Sequence, residues 1–442
     1  MGSGRRKNER KKEPERTALG ESSLKSEAHP VGAAIDRFVS ELCGLSRTLP
    51  LALVLVAALH QNESNEYNRF LVAHGELVEK TDKKATYNVA ARDSEQFRRR
   101  MKAVIGARTT LSILPRTFVA ALVSQYDCFL SKLLRHFFEE RPELIASTDR
   151  QLSYSQLKSF ESIDAATAFV VEKEIESLLR KSHSEQFKWL ESRFGVTLTK
   201  HLTIWPTFIE LTERRNLFAH CGGVVSSQYL DVCRQHGVDL TDGPALGDQL
   251  EVSQDYFEQS FRTILEVGVK LAHVLWRKLC PLDVAAADEG LGGTGYDLIV
   301  QEQYDLAVAL LGFGETELKT HPSEEEFRRI VVNLAQAHKW AGRNEDCLAA
   351  LARHDWSAVN RVFKLVVAVL RDEYDEAGNL MRQLGKDGDM MESSYAHWPL
   401  FREFRETEQF LSAYEDVFGT PFQEVAEEAS ELVLSETNDV SA

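Results

Sequence analysis

The chain has 442 residues, 43% of them hydrophobic, and a formal net charge of -16. That length exceeds what a single core organises and predicts two or three domains. The acidic balance excludes a general nucleic-acid coat, whose affinity rests on Lys and Arg, but leaves room for a local basic site. The six cysteines are scattered without Cys-x-x-Cys pairs, and no signal peptide precedes them, so reduced thiols in a cytoplasmic protein are expected.

Residues 1–28 mix Arg5, Arg6, Lys7, Arg10, Lys11, Lys12 and Arg16 with Glu9, Glu13 and Glu15. With almost nothing to bury, they read as a disordered charged leader. Residues 29–108 form a helical N-terminal region without an assigned role. Two apolar helical stretches there flank a polar middle, Glu79 to Asp93, with a turn at Asp82-Lys83-Lys84. The most apolar run, Leu49 to Leu59, is about eleven residues against the roughly twenty that a bilayer span needs. It also lacks the basic face of an interfacial helix. It reads as a buried helix, and no membrane association is expected.

Residues 109–282 show repeated helical periodicity with little strand character. The first helix, Leu114 to Phe138, sets Phe118, Leu122, Tyr126, Phe129 and Leu133 at three- and four-residue spacing. A second runs from Ala165 to Leu179 and leads through Gln186 to Leu190 to a stop at Gly195. A third starts at Trp205-Pro206, where proline suits the first turn, and ends at Cys221 before Gly222-Gly223. The fourth spans Ser253 to Leu279. Alanine, acid and glycine then replace the apolar pattern over residues 283–295, which read as a linker. In residues 296–422, Asn333-Leu334-Ala335, His338, Gly342 and Cys347 resemble the tetratricopeptide pattern, with Ala335, His338 and Cys347 replacing its usual residues. Tyr304-Asp305-Leu306-Ala307 and Tyr374-Asp375-Glu376-Ala377 repeat one step of it. Uneven spacing between the copies points to a helical-repeat domain rather than a strict tetratricopeptide array. An aromatic helical segment, Trp398 to Phe418, and an acidic tail, 423–442, close the chain.

One short run suggests chemistry: Arg214-Arg215-Asn216-Leu217-Phe218-Ala219-His220. The bare spacing of arginine and histidine is weak, and Arg69 to His74 repeats it by chance. The later copy differs in having Asn216 four residues before His220, on the same helix face, and a glycine pair closing its helix. Guanidinium suits two-point contact with phosphate, so Arg215 is the candidate anion binder, and Arg214 supplies a second guanidinium if the first is used structurally. His220, in the last turn, is favoured as a cation by the helix dipole and opposed by its arginine neighbour, the setting of a proton-transfer group.

Together with its four-helix setting, the run resembles the HEPN superfamily, whose ribonuclease members carry Arg-Asn-x-x-x-His. The resemblance covers about 109–279, with the family's arginine on Arg215, asparagine on Asn216 and histidine on His220. Gly222-Gly223 and Val224 to Tyr229 look like the turn that often follows. With the repeat pattern beyond it, the expected fold is all-α: a HEPN-like four-helix bundle followed by a C-terminal α-helical repeat-like domain. The resemblance also implies metal-independent and cofactor-free cleavage of RNA by 2'-hydroxyl attack, at a site formed where two such helices face each other in a homodimer. His220 would move the proton, Arg215 would stabilise phosphoryl charge, Asn216 would orient substrate or histidine, and Asp127 would steady an arginine across the bundle.

Other chemistries find little support. Phosphate-loop and dinucleotide-binding glycine patterns are absent. Cys221 and Cys233 with His220 and His236 lack paired zinc-ligand spacing, and His397-Trp398-Pro399 reads as core rather than a base-stacking platform. Two functions follow. One is an RNA-cleaving toxin or antiviral-defence effector whose repeats recognise a protein partner or trigger. The other is a catalytically silent adaptor that dimerises through the bundle and binds a partner through its repeats.

Overall fold

Apolar residues recurring at three and four positions build helices along nearly all of the chain, and the computed structural model describes residues 29–81, 84–145, 151–200 and 202–423. The leader 1–28, the Asp82-Lys83 pair and residues 424–442 of the acidic tail lie outside the described residues. Among the described residues the class is all-α, with a single two-stranded hairpin. Residues 29–294 with 316–323 form one compact unit, and residues 295–315 with 324–423 form another.

The first unit begins with two long helices, α1 (Pro30–His74) and α2 (Ser94–Glu140). Between them stand the strands β1 (Gly75–Lys80) and β2 (Ala85–Val89), paired antiparallel with a register shift between Leu77 and Glu79. The polar middle thus contributes to a hairpin, in which Thr81 N–H donates to Lys84 O at 2.8 Å. Helix α2 also runs unbroken through the boundary expected at 108–109. Pro115 lies inside it, so the helix expected to begin at Leu114 is the second half of a longer one.

The lower part of α1 buries Val31, Ile35, Phe38, Val39 and Leu42. Phe38 stacks on Phe129 of α2 with ring centroids 4.2 Å apart. After Leu49 the helix leaves the core. Leu51, Val54, Leu55 and Leu59 are 68%, 67%, 72% and 50% exposed, which corrects the buried reading of Leu49 to Leu59. Periodicity reports that a face is apolar; it does not report that anything covers it. By length and composition α1 is also long and apolar enough to cross a membrane.

Four short or medium helices follow: α3 (Tyr154–Leu157), α4 (Ile163–Leu179), α5 (His183–Phe194) and α6 (Trp205–His220). Then come α7 (Ser227–Gln235) and the long α8 (Gln254–Leu279). Helices α4, α6 and α8 pack on α2, which carries Leu122, Tyr126, Leu130, Leu134 and Phe137 wholly buried in the core. Gly268 lets α8 approach α1 closely, since a Cβ there would collide with the Phe38 ring. Residues 283–295, expected as a linker, are instead part of α9 (Val284–Val300). Burial of Ala287 and Leu291 overrides the low helix propensity of its glycines. Asp288, fully buried, is held by Arg277 and by His321 Nδ1 at 3.0 Å.

The second unit contains α10 (Tyr304–Thr316), α11 (Glu324–Trp340), α12 (Asn344–Ala352), α13 (Arg361–Leu370), α14 (Tyr374–Leu384), α15 (Glu392–His397) and α16 (Glu408–Phe418). One turn recurs three times in it. Glu302, Gly342 and Asp372 take positive φ of 60°, 75° and 61°. The next amide in each case donates to a carbonyl five residues back: Gln303 to Leu298, Arg343 to His338 and Glu373 to Ala368, at 2.8 to 2.9 Å. Five residues after each positive φ lies a buried small side chain, Ala307, Cys347 or Ala377, where the second helix of each hairpin approaches the first.

Candidate functional site

Helix α6 forms because Pro206 fits its first turn and Phe208, Ile209, Leu211, Thr212 and Leu217 turn inward. It stops because Gly222 and Gly223 adopt φ of 59° and 88°, which only glycine takes without strain. The Cys221 and Gly223 amides close the helix by donating to Leu217 O at 2.8 and 3.0 Å. A Cβ on Gly223 would meet Gln249 Nε2 at 2.7 Å and Phe218 at 3.1 Å. Gly222 is therefore required by conformation, and Gly223 by both conformation and space.

The polar residues of the motif separate into distinct environments. Arg214 turns inward: Nε donates to Glu210 Oε1 at 2.7 Å, and the guanidinium lies 3.9 Å from the Tyr256 ring centroid. The same Glu210 carboxylate accepts from Tyr229 OH at 2.6 Å and Tyr256 OH at 2.9 Å. Burial and the Glu210 charge push both phenols well above their ordinary pKa, so they stay neutral donors. Arg214, expected as a substrate-binding guanidinium, is thus part of the scaffold. The carboxylate lies one helical turn back on α6, but the Tyr256 ring that completes the environment comes from α8, and no local spacing announces it.

Arg215 faces the other way. Its Nη2 donates to Asp127 Oδ2 of α2 at 3.2 Å, while Asp127 Oδ1 accepts from Nε2 of His183 at 3.2 Å. His183, the first residue of α5, is only 5% exposed and packs edge-on against Phe208. Asp127 therefore ties together α2, α5 and α6. The Arg215 Nε is buried without a partner, so among the described residues Asp127 supplies the hydrogen bond that fixes the guanidinium. Asn216 hydrogen-bonds Glu213, whose carboxyl is raised above its ordinary pKa, chiefly by burial and against the pull of His183, Asn216 and Arg215.

His220 ends α6 and is exposed. On the far side of the glycine turn, Arg116 of α2 donates to Gly222 O at 3.1 Å and lies 5.6 Å from the Phe218 ring centroid. The end of α6 thus gathers two arginines from different helices, a partly exposed asparagine and a solvent-facing imidazole. Arg116 and His183 carried no local signal, since Arg116 sits at the edge of an apolar stripe and His183 is one histidine at a helix start. Of the residues weighed for zinc, Cys233 is buried, with its thiol pushed up to about 12 by desolvation, and His236 Nδ1 accepts from Trp205 Nε1 at 3.3 Å. Cys221 and His220 face solvent. The chance copy at Arg69 to His74 shows how such a run looks when neighbours absorb it: Arg69 pairs with Glu66 at 2.9 Å, and His74 stacks on Phe70.

No protein-family model, curated protein or solved structure matches the chain.

Proposed function

We propose that this protein is a HEPN-type endoribonuclease, acting without a metal at a site completed by a second copy, and that its C-terminal tetratricopeptide-like region binds a protein partner or trigger. The observation that carries this is the division of labour on α6. Arg215 is braced by Asp127, which also holds His183, on the helix that ends in an exposed imidazole, His220, that none of the described residues hydrogen-bonds. A braced guanidinium binds a phosphoryl oxygen with little further loss of freedom, and an exposed imidazole exchanges protons readily.

In the reaction the ribose 2'-oxygen bonds to the adjacent phosphorus as the P–O5' bond breaks, giving a 2',3'-cyclic phosphate and a 5'-hydroxyl. One His220 accepts the 2'-proton, and the His220 of a second copy protonates the departing 5'-oxygen. Arg215 stabilises the charge on the non-bridging oxygens, a role typically worth about 2.7–4 kcal/mol for one well-placed donor. The repeated turns at Glu302, Gly342 and Asp372 support a region of stacked helix pairs suited to recognition. An effector of toxin or antiviral-defence type, released by a partner at those repeats, unites the two parts.

The test is expression of the wild-type chain and of His220→Ala in cells, with total RNA sequenced from 5'-hydroxyl ends. Ends present with the wild type and absent with His220→Ala are expected; identical RNA and growth in both, with every candidate trigger, would refute cleavage. A second reading, a silent dimerising adaptor of the cytoplasm, is favoured by one observation. Arg214, Arg215 and Asn216 all hold carboxylates of their own chain, as scaffold residues do.

A further inference from the structure

The outer face of α1 is apolar where solvent should make it polar, and it is arranged symmetrically in sequence. No Asp, Glu, Lys or Arg lies between Arg47 and Glu63. Within that interval Leu51, Val54, Leu55 and Leu59 are half to nearly three-quarters exposed. The opposite side of the helix is already occupied, because α1 packs along α2. Among the described residues nothing covers the exposed stripe, and a contiguous apolar surface of several hundred Å² is rare on a monomer.

Leu55 is the centre of the pattern. Leu51 and Leu59 stand about one turn either side of it, and Glu41 and Arg69 about four turns either side, all within roughly 40° of its direction at 3.6 residues per turn. Glu41 carries Arg37 at 2.7 Å, and Arg69 carries Glu66 at 2.9 Å. A two-fold axis beside Leu55 sets two α1 helices antiparallel, with leucines against leucines in the middle. It also lays the Arg37–Glu41 pair of each copy against the Glu66–Arg69 pair of the other, so that Glu41 meets Arg69. Spanning those limits takes about 40 Å of helix, and faces of this length bury area on the scale of the about 800 Å² per partner found in stable dimers. Glu41 and Glu66 are paired with Arg37 and Arg69, so the ends of the stripe offer no net basic charge to an anionic membrane.

We propose that the outer face of α1 is a self-association surface and that its occupant is the α1 helix of a second copy, antiparallel about Leu55. The surface uses none of the residues of the α6 site, so the association stands whether or not Arg215 and His220 cleave RNA. The experiment is sedimentation equilibrium on the full chain without RNA, with circular dichroism as the folding control. The wild type is expected at twice its 50.0 kDa, and Leu55→Asp at the monomer mass with unchanged helicity, since Leu55 supports no core and the α6 faces, with no RNA between them, hold no second copy by themselves. Arg69→Glu is expected to weaken association at least tenfold, and Glu41→Arg/Arg69→Glu to restore it to within about threefold. A monomeric wild type, a dimer untouched by Leu55→Asp, or a charge swap that fails to rescue each overturns the proposal. So does co-sedimentation of a monomeric wild type, but not of Leu55→Asp, with phosphatidylserine vesicles.

Discussion

Replacing Asp127 by Asn keeps the shape of the side chain and removes the charge that joins Arg215 to His183. The His183 nitrogen is deeply buried, and weakening its hydrogen bond to a charged acceptor costs about 1–2 kcal/mol. The ion pair with Arg215 is less protected, since its two side chains are 22% and 26% exposed. Solvent screening holds its share to about 0.5–1 kcal/mol. The variant should therefore lose about 2 kcal/mol and, at roughly 2–4 °C per kcal/mol for a unit of this size, melt about 4–8 °C lower. A double-mutant cycle with Arg215→Ala, followed by urea unfolding, isolates the ion pair, and a coupling of about 0.5–1 kcal/mol is expected. RNA cleavage should fall in Asp127→Asn more than stability alone explains, because Arg215 then samples orientations away from the phosphate. A coupling indistinguishable from zero would mean that Asp127 does not brace Arg215, and the argument for a preorganised guanidinium would fail.

Further outcomes follow from other parts of the chain. Arg214→Ala should destabilise by about 3 kcal/mol by leaving the buried Glu210 charge without its counter-ion, while any RNA end signal per folded molecule stays unchanged; a stable variant with lost cleavage would reverse the roles given to the two arginines. His273 is wholly buried, and desolvation, aided by Arg277 and opposed by Asp288, lowers its pKa to about 3. Its unfolded form binds a proton below about 6.5 and the folded form does not. Stability is therefore fully present above pH 6.5 and falls by about 1.4 kcal/mol per unit as the pH drops toward 3. His273→Leu should flatten that acid limb in pH-dependent denaturation, and an unchanged slope would contradict the buried neutral ring. Glu302→Gly should raise the Tm, gaining about 0.5–1 kcal/mol by relieving a left-handed non-glycine residue. Asp372→Gly should not, because Asp372 accepts from Tyr374 OH at 2.7 Å and holds Lys339.

Much of the helical framework was legible in local signals. Pro206 and Gly222-Gly223 marked both ends of α6, Gly195 marked the end of α5 in a left-handed cap, and the apolar stripe of α8 ended at Leu279 as expected. What escaped was whatever depends on another part of the chain. The glycines of α9 read as a linker until burial of Ala287 and Leu291 held them helical. Leu49 to Leu59 read as core because composition carries no information about what lies opposite. At the site, the shared spacing of Asn216 and His220 was legible, but which arginine would be buried was not: Glu210 and Tyr256 claim Arg214, whereas Asp127, itself held by His183, claims Arg215. The recurrent turn in the second unit was visible in Tyr304 to Ala307, Gly342 and Tyr374 to Ala377. Its backbone was not, since two of the three left-handed positions are filled by Glu302 and Asp372 rather than glycine.

The most direct test of the account is the chemistry of RNA ends made by the purified chain in excess chelator. Cleavage through Arg215 and His220 requires 2',3'-cyclic phosphates and 5'-hydroxyls from the wild type, and neither from Arg215→Ala nor from His220→Ala at equal folded concentration. Ends bearing 5'-phosphates, or cyclic ends that persist in His220→Ala, would contradict it.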